Sequence, residues 1–331
     1  MPVLEAQGLT KWYGNVCAVD DVNLSLEAGE IYGFLGPNGA GKTTTMKMLV
    51  GVLPPTSGTV SFCSQGGEEK GLSCKIGVVP ERPSVGVFPW MTGWEYVRFF
   101  AEMYGVSDWR EKATEYAERL GILSFFEKRY TTYSAGMLQK LSIIRSLIHN
   151  PVIVFLDEPM SSLDPVSAKE VRDLIRDEQG QGKTIFVSSH ILTDMEKLCS
   201  RIAVISSGRI LAEGPTDEFI RQHGGGSHIV VELDTIPERL SETLLSLPFI
   251  RSVKQEGKTL VITPQEQGDF RRDVIEMLAR GGCIPLSVNV RPGTLEDAFL
   301  SVIKGSEGRE AGTEKKALPD EGETCVSSVA A

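Results

Sequence analysis

The sequence predicts an α/β protein whose main domain carries a parallel β-sheet and is followed by a smaller α+β domain. Short, almost uninterrupted apolar runs are typical of strands buried on both faces of a parallel sheet. These runs are Ile31–Leu35, Val152–Leu156, Thr184–Val187 and Ile202–Ile205. The segments with helical periodicity that lie among them favour an α/β domain with a helical insertion. They are Thr92–Tyr104, Trp109–Leu120 and Ala135–His149.

A glycine-rich break at His223–Ser227 predicts the boundary between two domains. We place the first domain at 1–223, with a helical subdomain at about 88–150. The order β-α-β-β-α-β after the break predicts a small ferredoxin-like domain over 228–303. Its last helix is expected to run from about Thr294 to Ile303. Residues 304–331 are rich in Gly, Ser, Glu and Lys, and we expect them to form a disordered tail.

The composition restricts the class of protein but does not indicate which reaction or ligand is involved. The chain has 331 residues, of which 41% are hydrophobic and 24% charged, as is usual for a globular protein. A net charge of -10 does not favour a nucleic-acid partner. We expect a cytoplasmic protein, because the sequence shows neither a membrane-spanning apolar run nor the features of a signal peptide. The six cysteines include no C-x-x-C pair and are expected to be reduced thiols.

The clearest local motif is a glycine-rich loop between a predicted strand and a predicted helix. Residues 36–43 fit the phosphate-binding pattern G-x-x-x-x-G-K-[ST] at every defined position. Glycines let successive backbone N–H groups point at phosphate oxygens, and the helix N-terminus adds positive potential. The lysine is expected to reach the terminal phosphates and the threonine hydroxyl to bind Mg²⁺. The nucleotide-binding residues predicted here are Gly36, Pro37, Asn38, Gly39, Ala40, Gly41, Lys42, Thr43 and Thr44.

Two carboxylates follow the second apolar strand directly. Asp157 and Glu158 should lie at the carboxyl edge of the sheet, beside the phosphate loop. We expect Asp157 to hold Mg²⁺ or its water, and Glu158 to orient and deprotonate the attacking water. An acidic pair that only caps the next turn is the structural alternative.

A single histidine occupies the equivalent position after the next strand. His190 follows Val187-Ser188-Ser189, so its imidazole could link Glu158 to the γ-phosphate side of the nucleotide. A lone histidine is more often structural, but the strand-end position favours function. The other three histidines have no such placement.

Further motifs, in the same order along the chain, resemble those of the ATP-binding subunits of ABC transporters. Tyr133-Ser134-Ala135-Gly136-Met137-Leu138-Gln139 is similar to the signature segment of that family. Ser161-Ser162-Leu163-Asp164 resembles its D-loop, and Trp12-Tyr13-Gly14 precedes the phosphate loop as its adenine-stacking aromatic does. The resemblance covers about residues 4–220. The alternative interpretation, if the resemblance is set aside, is that Tyr13 is a surface aromatic residue and that Asp164 lies in an ordinary turn.

The resemblance implies a specific function: binding and hydrolysis of ATP with Mg²⁺ to drive a separate integral membrane transporter subunit. It implies a head-to-tail pair with a second ATP-binding subunit, either another copy or a related chain. In such a pair Ser134 and Gly136 contact the nucleotide held by the partner, and Asp164 contacts the partner's phosphate-loop region. The protein would then lie on the inner face of the cell membrane. The helical segment from about Phe88 to Tyr130 would dock on the membrane subunit.

Two positions depart from the family pattern. Ala135 stands where the family usually has glycine, and a positive φ there would cost alanine about 1 kcal/mol. Glu81 occupies the place of the Q-loop glutamine, from which a carboxylate could still meet Mg²⁺ or the attacking water.

A segment near the end of the chain suggests a subgroup. Residues 291–300 resemble a segment of exporters for drugs, sodium, lipids or polysaccharides, although an ordinary amphipathic helix would also fit. Two other functions stay open at this point. One is a soluble ABC ATPase acting on ribosomes or DNA, which the single phosphate loop and single signature oppose. The other is a non-catalytic ATP sensor, which the intact Lys42, Asp157, Glu158 and His190 oppose.

Overall fold

The computed structural model describes residues 1–62, 76–82, 89–224, 226–237, 239–265 and 268–310. In the first part of the chain the strands are β1 Pro2–Tyr13, β2 Val16–Glu27, β3 Ile31–Leu35, β4 Ser57–Phe62, β5 Ile76–Val79, β6 Ile153–Asp157, β7 Thr184–Ser189, β8 Arg201–Ser206 and β9 Arg209–Pro215. The helices are α1 Lys42–Leu49, α2 Gly93–Met103, α3 Trp109–Arg119, α4 Ala135–Leu147, α5 Pro165–Gly180, α6 Leu192–Leu198 and α7 Thr216–His223. Further along lie β10 Ser227–Glu232, α8 Leu240–Leu245, β11 Ile250–Glu256, β12 Thr259–Pro264, α9 Arg271–Arg280, β13 Ser287–Pro292 and α10 Leu295–Glu310.

The central sheet has the strand order β5-β6-β7-β3-β8-β9 within the described residues. The first five strands in this order, β5, β6, β7, β3 and β8, run parallel to one another. Strand β9 joins β8 as an antiparallel hairpin. Every residue of β3, β6 and β7 is buried, as the continuous apolar runs predict. The parallel sheet is therefore confirmed, whereas the β9 edge was not predicted.

A second, antiparallel sheet covers the phosphate-loop side of the central one. Its order is β2-β1-β4, and sequence analysis did not identify it. In β2 the buried residues Val22, Leu24 and Leu26 alternate with more exposed ones, so one face of the sheet is apolar. That face shares a core with Tyr32 and Phe34 of the central sheet.

The helical insertion between β5 and β6 forms as predicted. Thr92 caps α2 through a reciprocal pair of hydrogen bonds with Glu95. The apolar faces of α2 and α3 bury Val97, Ala101 and Ala113 against the core that they share with α4. Phe88, at the expected start of the helical subdomain, lies outside the described residues, and the domain limits stay predictions.

The ferredoxin-like arrangement of the second part is confirmed. Its strands pair in the order β11-β12-β10-β13, with every neighbouring pair antiparallel. Helices α8 and α9 pack on one face of this sheet. A separate core joins the strands to the helices. It includes Ile229, Val231, Leu260, Ile262, Val274 and Leu278.

The last helix corrects one sequence interpretation. Helix α10 reaches Glu310 instead of ending near Ile303, so residues 304–310 are not a disordered tail. Residues 311–331, the rest of that expected tail, lie outside the described residues. The helix also packs on the main domain, since Leu295 and Ala298 are buried in the same core as Phe219 of α7. Local periodicity predicted its apolar stripe, but periodicity does not specify which core a stripe faces.

Among the described residues, no helix combines the length and the apolar character needed to cross a bilayer.

Candidate functional site

The glycine loop connects β3 to α1, and the lysine side chain folds back under it. Lys42 is 7% exposed, and its Nζ donates hydrogen bonds to the carbonyl oxygens of Gly36 (2.7 Å) and Pro37 (3.2 Å). Gly41 has φ = 106°, and a Cβ there would lie 2.6 Å from the carbonyl oxygen of Ala18. Both facts require glycine at this position. The sequence pattern and the local fold therefore depend on the same residues.

Asp157, the last residue of β6, joins the phosphate loop to the neighbouring strand. Its Oδ2 accepts a hydrogen bond from the Thr43 hydroxyl at 2.9 Å, and its Oδ1 accepts one from the Ser188 hydroxyl of β7. The carboxylate is almost completely buried. A carboxylate beside a hydroxyl is an oxygen donor set that Mg²⁺ accepts when phosphate and water complete its shell. These residues fit the metal that the sequence predicts.

Glu158 takes an unusual backbone conformation directly after β6. Its φ is 48°, in the left-handed region that few non-glycine residues adopt. Hydrogen bonds hold this conformation: the Glu158 N–H donates to the Ser188 carbonyl (3.0 Å), and the Glu158 carbonyl accepts from the N–H (3.2 Å) and hydroxyl (3.0 Å) of Ser161. Backbone strain of this kind is common where a side chain must point in a fixed direction.

The Glu158 carboxylate contacts three functional groups. Its Oε1 lies 2.8 Å from Nδ1 of His190 and 3.7 Å from Nζ of Lys42. Its Oε2 accepts a hydrogen bond from the Ser189 hydroxyl at 3.2 Å. The carboxylate is 7% exposed, whereas the His190 side chain is 49% exposed and reaches towards solvent. A buried carboxylate beside an ammonium and an imidazole can accept a proton from a water molecule in the cavity.

These groups surround one cavity of about 360 Å³. Most of the predicted catalytic and nucleotide-binding residues line it. The lining residues are Ala18, Asn38, Gly39, Gly41, Lys42, Thr43, Thr44, Glu81, Glu158, Ser161 and His190. Gly36, Pro37 and Asp157 do not line the cavity, but they hold Lys42 and Thr43, and Ala40 is buried beneath the loop. Glu81 lies two residues after β5 and enters the cavity from the Q-loop position.

Four further predicted residues do not line this cavity. Tyr13 ends β1 with half of its surface exposed, and Nζ of Lys11 is 5.7 Å from its ring centroid. Ser134 caps α4 by accepting a hydrogen bond from the Met137 N–H at 3.2 Å. Gly136 follows in the first turn of α4.

Asp164, the fourth of these residues, caps α5. Its carboxylate accepts hydrogen bonds from the N–H groups of Val166 (3.0 Å) and Ser167 (3.1 Å). The side-chain hydrogen bond from Ser167, followed by that from its N–H, lowers the pKa of Asp164.

Ala135 does not carry the strain that a positive φ would impose. Ala135 is the first residue of α4 and is not among the described non-glycine residues with positive φ. Glycine matters more at the next position, where a Cβ on Gly136 would lie 3.1 Å from a Leu163 methyl group. The Leu163 side chain, in the loop after Glu158, therefore leaves little room for a side chain at Gly136.

Sequence reasoning missed three serines around the carboxylates. Ser161, Ser188 and Ser189 hold the backbone of Glu158 or a side-chain oxygen of the acid pair. Their only sequence signal is position, since two of them end β7 and the third follows Glu158 by three residues. A serine at a strand end is common enough that the type alone does not indicate function.

A parallel sheet with a glycine loop, a strand-end Asp-Glu pair and a histidine around one cavity defines a P-loop nucleoside triphosphatase. Comparison with known proteins identifies the family within that class. The family model described as ABC transporter matches residues 19–161. The bacitracin transport ATP-binding protein BcrA of Bacillus licheniformis is 32% identical over 310 residues, covering 92% of this chain and 98% of its own.

Two further similarities cover most of the molecule. The Nod factor export ATP-binding protein I of Ralstonia nicotianae is 33% identical over 320 residues, covering 93% of this chain and 96% of its own. A solved ATP-binding subunit of an ABC transporter is 27% identical, with a TM-score of 0.61 over 67% of this chain and 93% of the other. The chain belongs to the family of ABC transporter ATP-binding proteins, as the sequence motifs predict. It is accordingly an ATPase subunit whose hydrolysis is coupled to transport.

Proposed function

We propose that this subunit hydrolyses ATP in the described cavity and powers export through a separate membrane protein. The observation that carries the catalytic assignment is the position of the Glu158 carboxylate between Lys42 and His190 in the phosphate-loop cavity. In this proposal Lys42 and the loop N–H groups bind the phosphates. Glu158 accepts the proton of the attacking water, and His190 orients that carboxylate.

Mg²⁺ belongs to the proposal because the donor set fits it. Thr43 and Asp157 would hold the ion, and Glu81, which lines the same cavity as Thr43, could contact the ion or the attacking water. When bound, the ion supplies charge neutralisation at the phosphates. The protein's own part is to keep the Thr43 hydroxyl and the Asp157 carboxylate together, which the hydrogen bond between them achieves.

The second part of the proposal is a pair of ATP-binding subunits, formed by two copies or with a related chain. Support comes from the position of Ser134, Gly136 and Asp164 outside the cavity that the chain forms by itself. The N–H groups at the start of α4 and their positive helix end suit a phosphate brought by a partner. ATP between the two subunits would then favour the closed pair, and hydrolysis would release it. Tyr13 would stack on the adenine ring.

Export rather than import is supported by the names of the relatives. The two relatives described above are named for bacitracin transport and Nod factor export, and a third, from Bacillus subtilis, is named for linearmycin resistance. We therefore propose a position at the inner face of the cell membrane, with the helices α2 and α3 contacting the membrane subunit.

The ATPase assignment is tested with Glu158→Gln, which keeps the shape of the side chain but removes its basicity. We expect hydrolysis to fall by about 10²- to 10⁴-fold, the usual contribution of a general base. Binding of ATP should persist, because the phosphate loop is unchanged. Steady-state phosphate release and equilibrium binding of a fluorescent ATP analogue measure the two quantities. Undiminished hydrolysis in the variant would reject Glu158 as the base.

The transport assignment needs a different experiment. The tagged protein is purified from native membranes in mild detergent, and the proteins that accompany it are identified by mass spectrometry. We expect a stoichiometric polytopic membrane protein. Recovery only with ribosomes, DNA or other soluble proteins would contradict the transport role and leave the ATPase assignment intact.

A further inference from the structure

The two carboxylates at the end of β6 face two consecutive serines at the end of β7. The strands are parallel, and Asp157 pairs in register with Ser188. One residue further along, Glu158 has left the strand, and the Ser189 hydroxyl contacts its carboxylate. Each serine hydroxyl donates to the acid at its own level: Ser188 to Oδ1 of Asp157, and Ser189 to Oε2 of Glu158. Both serines are almost completely buried.

The direction of the Ser189 hydroxyl proton follows from its second hydrogen bond. The Ser189 oxygen accepts from the Ile191 N–H at 3.0 Å, so a lone pair is occupied and the proton is free for the carboxylate. The 3.2 Å distance to Oε2 of Glu158 is within hydrogen-bond range. A backbone N–H, that of His190, lies 3.4 Å from the same oxygen.

These contacts divide the two oxygens of Glu158 between two tasks. Oε2 is occupied on the β7 side, whereas Oε1 faces His190 and Lys42. Glu158 lines the cavity, but Ser189 does not. The Ser189 hydroxyl therefore acts on the cavity only through the orientation of the carboxylate.

We propose that Ser189 is a positioning residue, which fixes the side-chain conformation of Glu158 so that Oε1 is the oxygen presented to the attacking water. The proposal rests on the proposed role of Glu158 as general base. Side chains held in this way are effective because small misplacements of a reacting group reduce rates strongly. A glutamate released from Ser189 can rotate, and only part of its population would then have Oε1 in place.

Replacing the neighbouring serine, Ser188, should have an effect that can be measured separately from that of replacing Ser189. Ser188 donates to Asp157, whose other oxygen holds the Thr43 hydroxyl, so its removal should disturb the Mg²⁺ donor set. We expect Ser188→Ala to raise the Mg²⁺ concentration needed for half-maximal activity. Ser189→Ala should leave that concentration unchanged, since its partner is Glu158.

Steady-state ATPase kinetics of four single variants test the positioning role. We expect Ser189→Ala to lower kcat about 10-fold, with KM for ATP within about twofold of the unaltered chain. Ser189→Thr keeps the hydroxyl and should recover most of kcat. Ser146→Ala removes a hydroxyl that is equally buried but bonds only the Ile143 carbonyl of its own helix, so its kcat should stay near the original value. Glu158→Gln provides the reference for a lost base.

A double variant distinguishes positioning from a general effect on the fold. In single-turnover hydrolysis, Ser189→Ala should slow the Glu158→Gln protein by less than about twofold, because no basic carboxylate is left to position. A further 10-fold loss in that background would overturn the proposal, as would a Ser189→Thr protein as slow as Ser189→Ala, or a Ser189→Ala protein with unaltered kcat. If Glu158→Gln alone kept full activity, the proposed function would fail first. A slow Glu158→Gln with a fully active Ser189→Ala would reject the role of Ser189 only.

Discussion

The phosphate-loop cavity and the signature segment are built from similar local structure but differ in what surrounds them. In the cavity, the start of α1 is enclosed by the strand-end groups of β6 and β7, and Lys42 is almost completely buried. At the signature segment, the start of α4 is an equally regular helix N-terminus with a side-chain cap, yet Ser134 is exposed and does not line the cavity. We propose that the first region is the catalytic site and that the second is an exposed surface for an anion.

This difference explains how one chain could serve two nucleotides. In our proposal the cavity supplies the groups that react, whereas the helix N-terminus of the signature surface supplies positive potential. Such a surface is useful only when another molecule brings a phosphate to it. In the pair that we propose, the signature surface of each subunit meets the nucleotide in the cavity of the other. The variants below change one of these two regions at a time.

The largest effect is expected in the cavity, from Lys42→Ala. Loss of the ammonium removes the charge nearest the phosphates, and we expect at least about a 10²-fold fall in hydrolysis together with weaker ATP binding. Lys47→Ala is the matched control, because Lys47 lies on the same helix α1 but is exposed. Phosphate release and nucleotide binding measure the change. Equal losses in the two variants would show that α1, rather than Lys42, was damaged.

A smaller effect on hydrolysis alone is expected at the signature surface, from Ser134→Asp. Aspartate caps a helix as well as serine does, so α4 should keep its N-terminus. Its negative charge would repel the partner's nucleotide, and we expect hydrolysis to fall about 10-fold, with ATP binding by the single chain unchanged. Ser134→Asn, a neutral cap of the same shape, should lose much less. A weaker ATP affinity in the separated chain would place Ser134 at the chain's own nucleotide and contradict the comparison.

Asp297 lies outside both regions and should affect stability instead of hydrolysis. Burial opposes ionisation of its carboxyl, but hydrogen bonds from Thr294 and the charges of His228 and Arg291 outweigh burial and lower the pKa of Asp297. Asp297→Asn removes the negative charge that accepts hydrogen bonds from Thr294 in the first turn of α10, and losing such a charge costs up to about 1 kcal/mol. That loss should lower Tm by about 2–4 °C near neutral pH.

The pH dependence of this effect has a definite sign. A lowered pKa means that the stabilisation by Asp297 is present above its ordinary value of 3.8 and is lost as the pH falls further. The Tm difference between Asp297→Asn and the unaltered chain should therefore shrink in acid. Glu296→Gln, an exposed neighbour on the same helix, is the control. A difference that grew on acidification would contradict the assignment.

The smallest effect is expected from Ala135→Gly, which restores the residue usual in the family. Because Ala135 is already helical, glycine relieves no strain and costs up to about 1 kcal/mol of helix stability. We expect hydrolysis within about twofold and a slightly lower Tm. A several-fold gain in hydrolysis would mean that the backbone at this position must leave the helical conformation in the working state.

The parts of the fold that sequence predicted are those with an unambiguous local pattern. Strands such as Ile153–Asp157 are buried along their whole length, and their apolar runs indicate this directly. The antiparallel sheet of β1, β2 and β4 was missed because glycine and polar residues interrupt the apolar pattern of its strands, and β4 has no fully buried residue. The position of α10 was missed because an apolar stripe does not identify its partner.

The residues of the candidate site likewise divide into those with a clear local sequence pattern and those without one. Lys42, Asp157, Glu158 and His190 were predicted because glycine spacing and strand ends fix where such side chains lie. Ser189 was not singled out, since its importance depends on the register between two strands that lie far apart along the chain. No pattern in one chain specifies what the exposed signature surface contacts.

The most direct test of the proposed pairing combines the two damaged regions in one complex. Lys42→Ala and Ser134→Asp chains with different tags are co-expressed, and pairs that carry both tags are purified. Such a pair would have one intact site, formed by the cavity of the Ser134→Asp chain and the signature surface of the Lys42→Ala chain. The account predicts that its ATPase activity clearly exceeds that of pairs made from either variant alone. Doubly tagged pairs with no more activity than the single variants, or no such pairs at all, would contradict it.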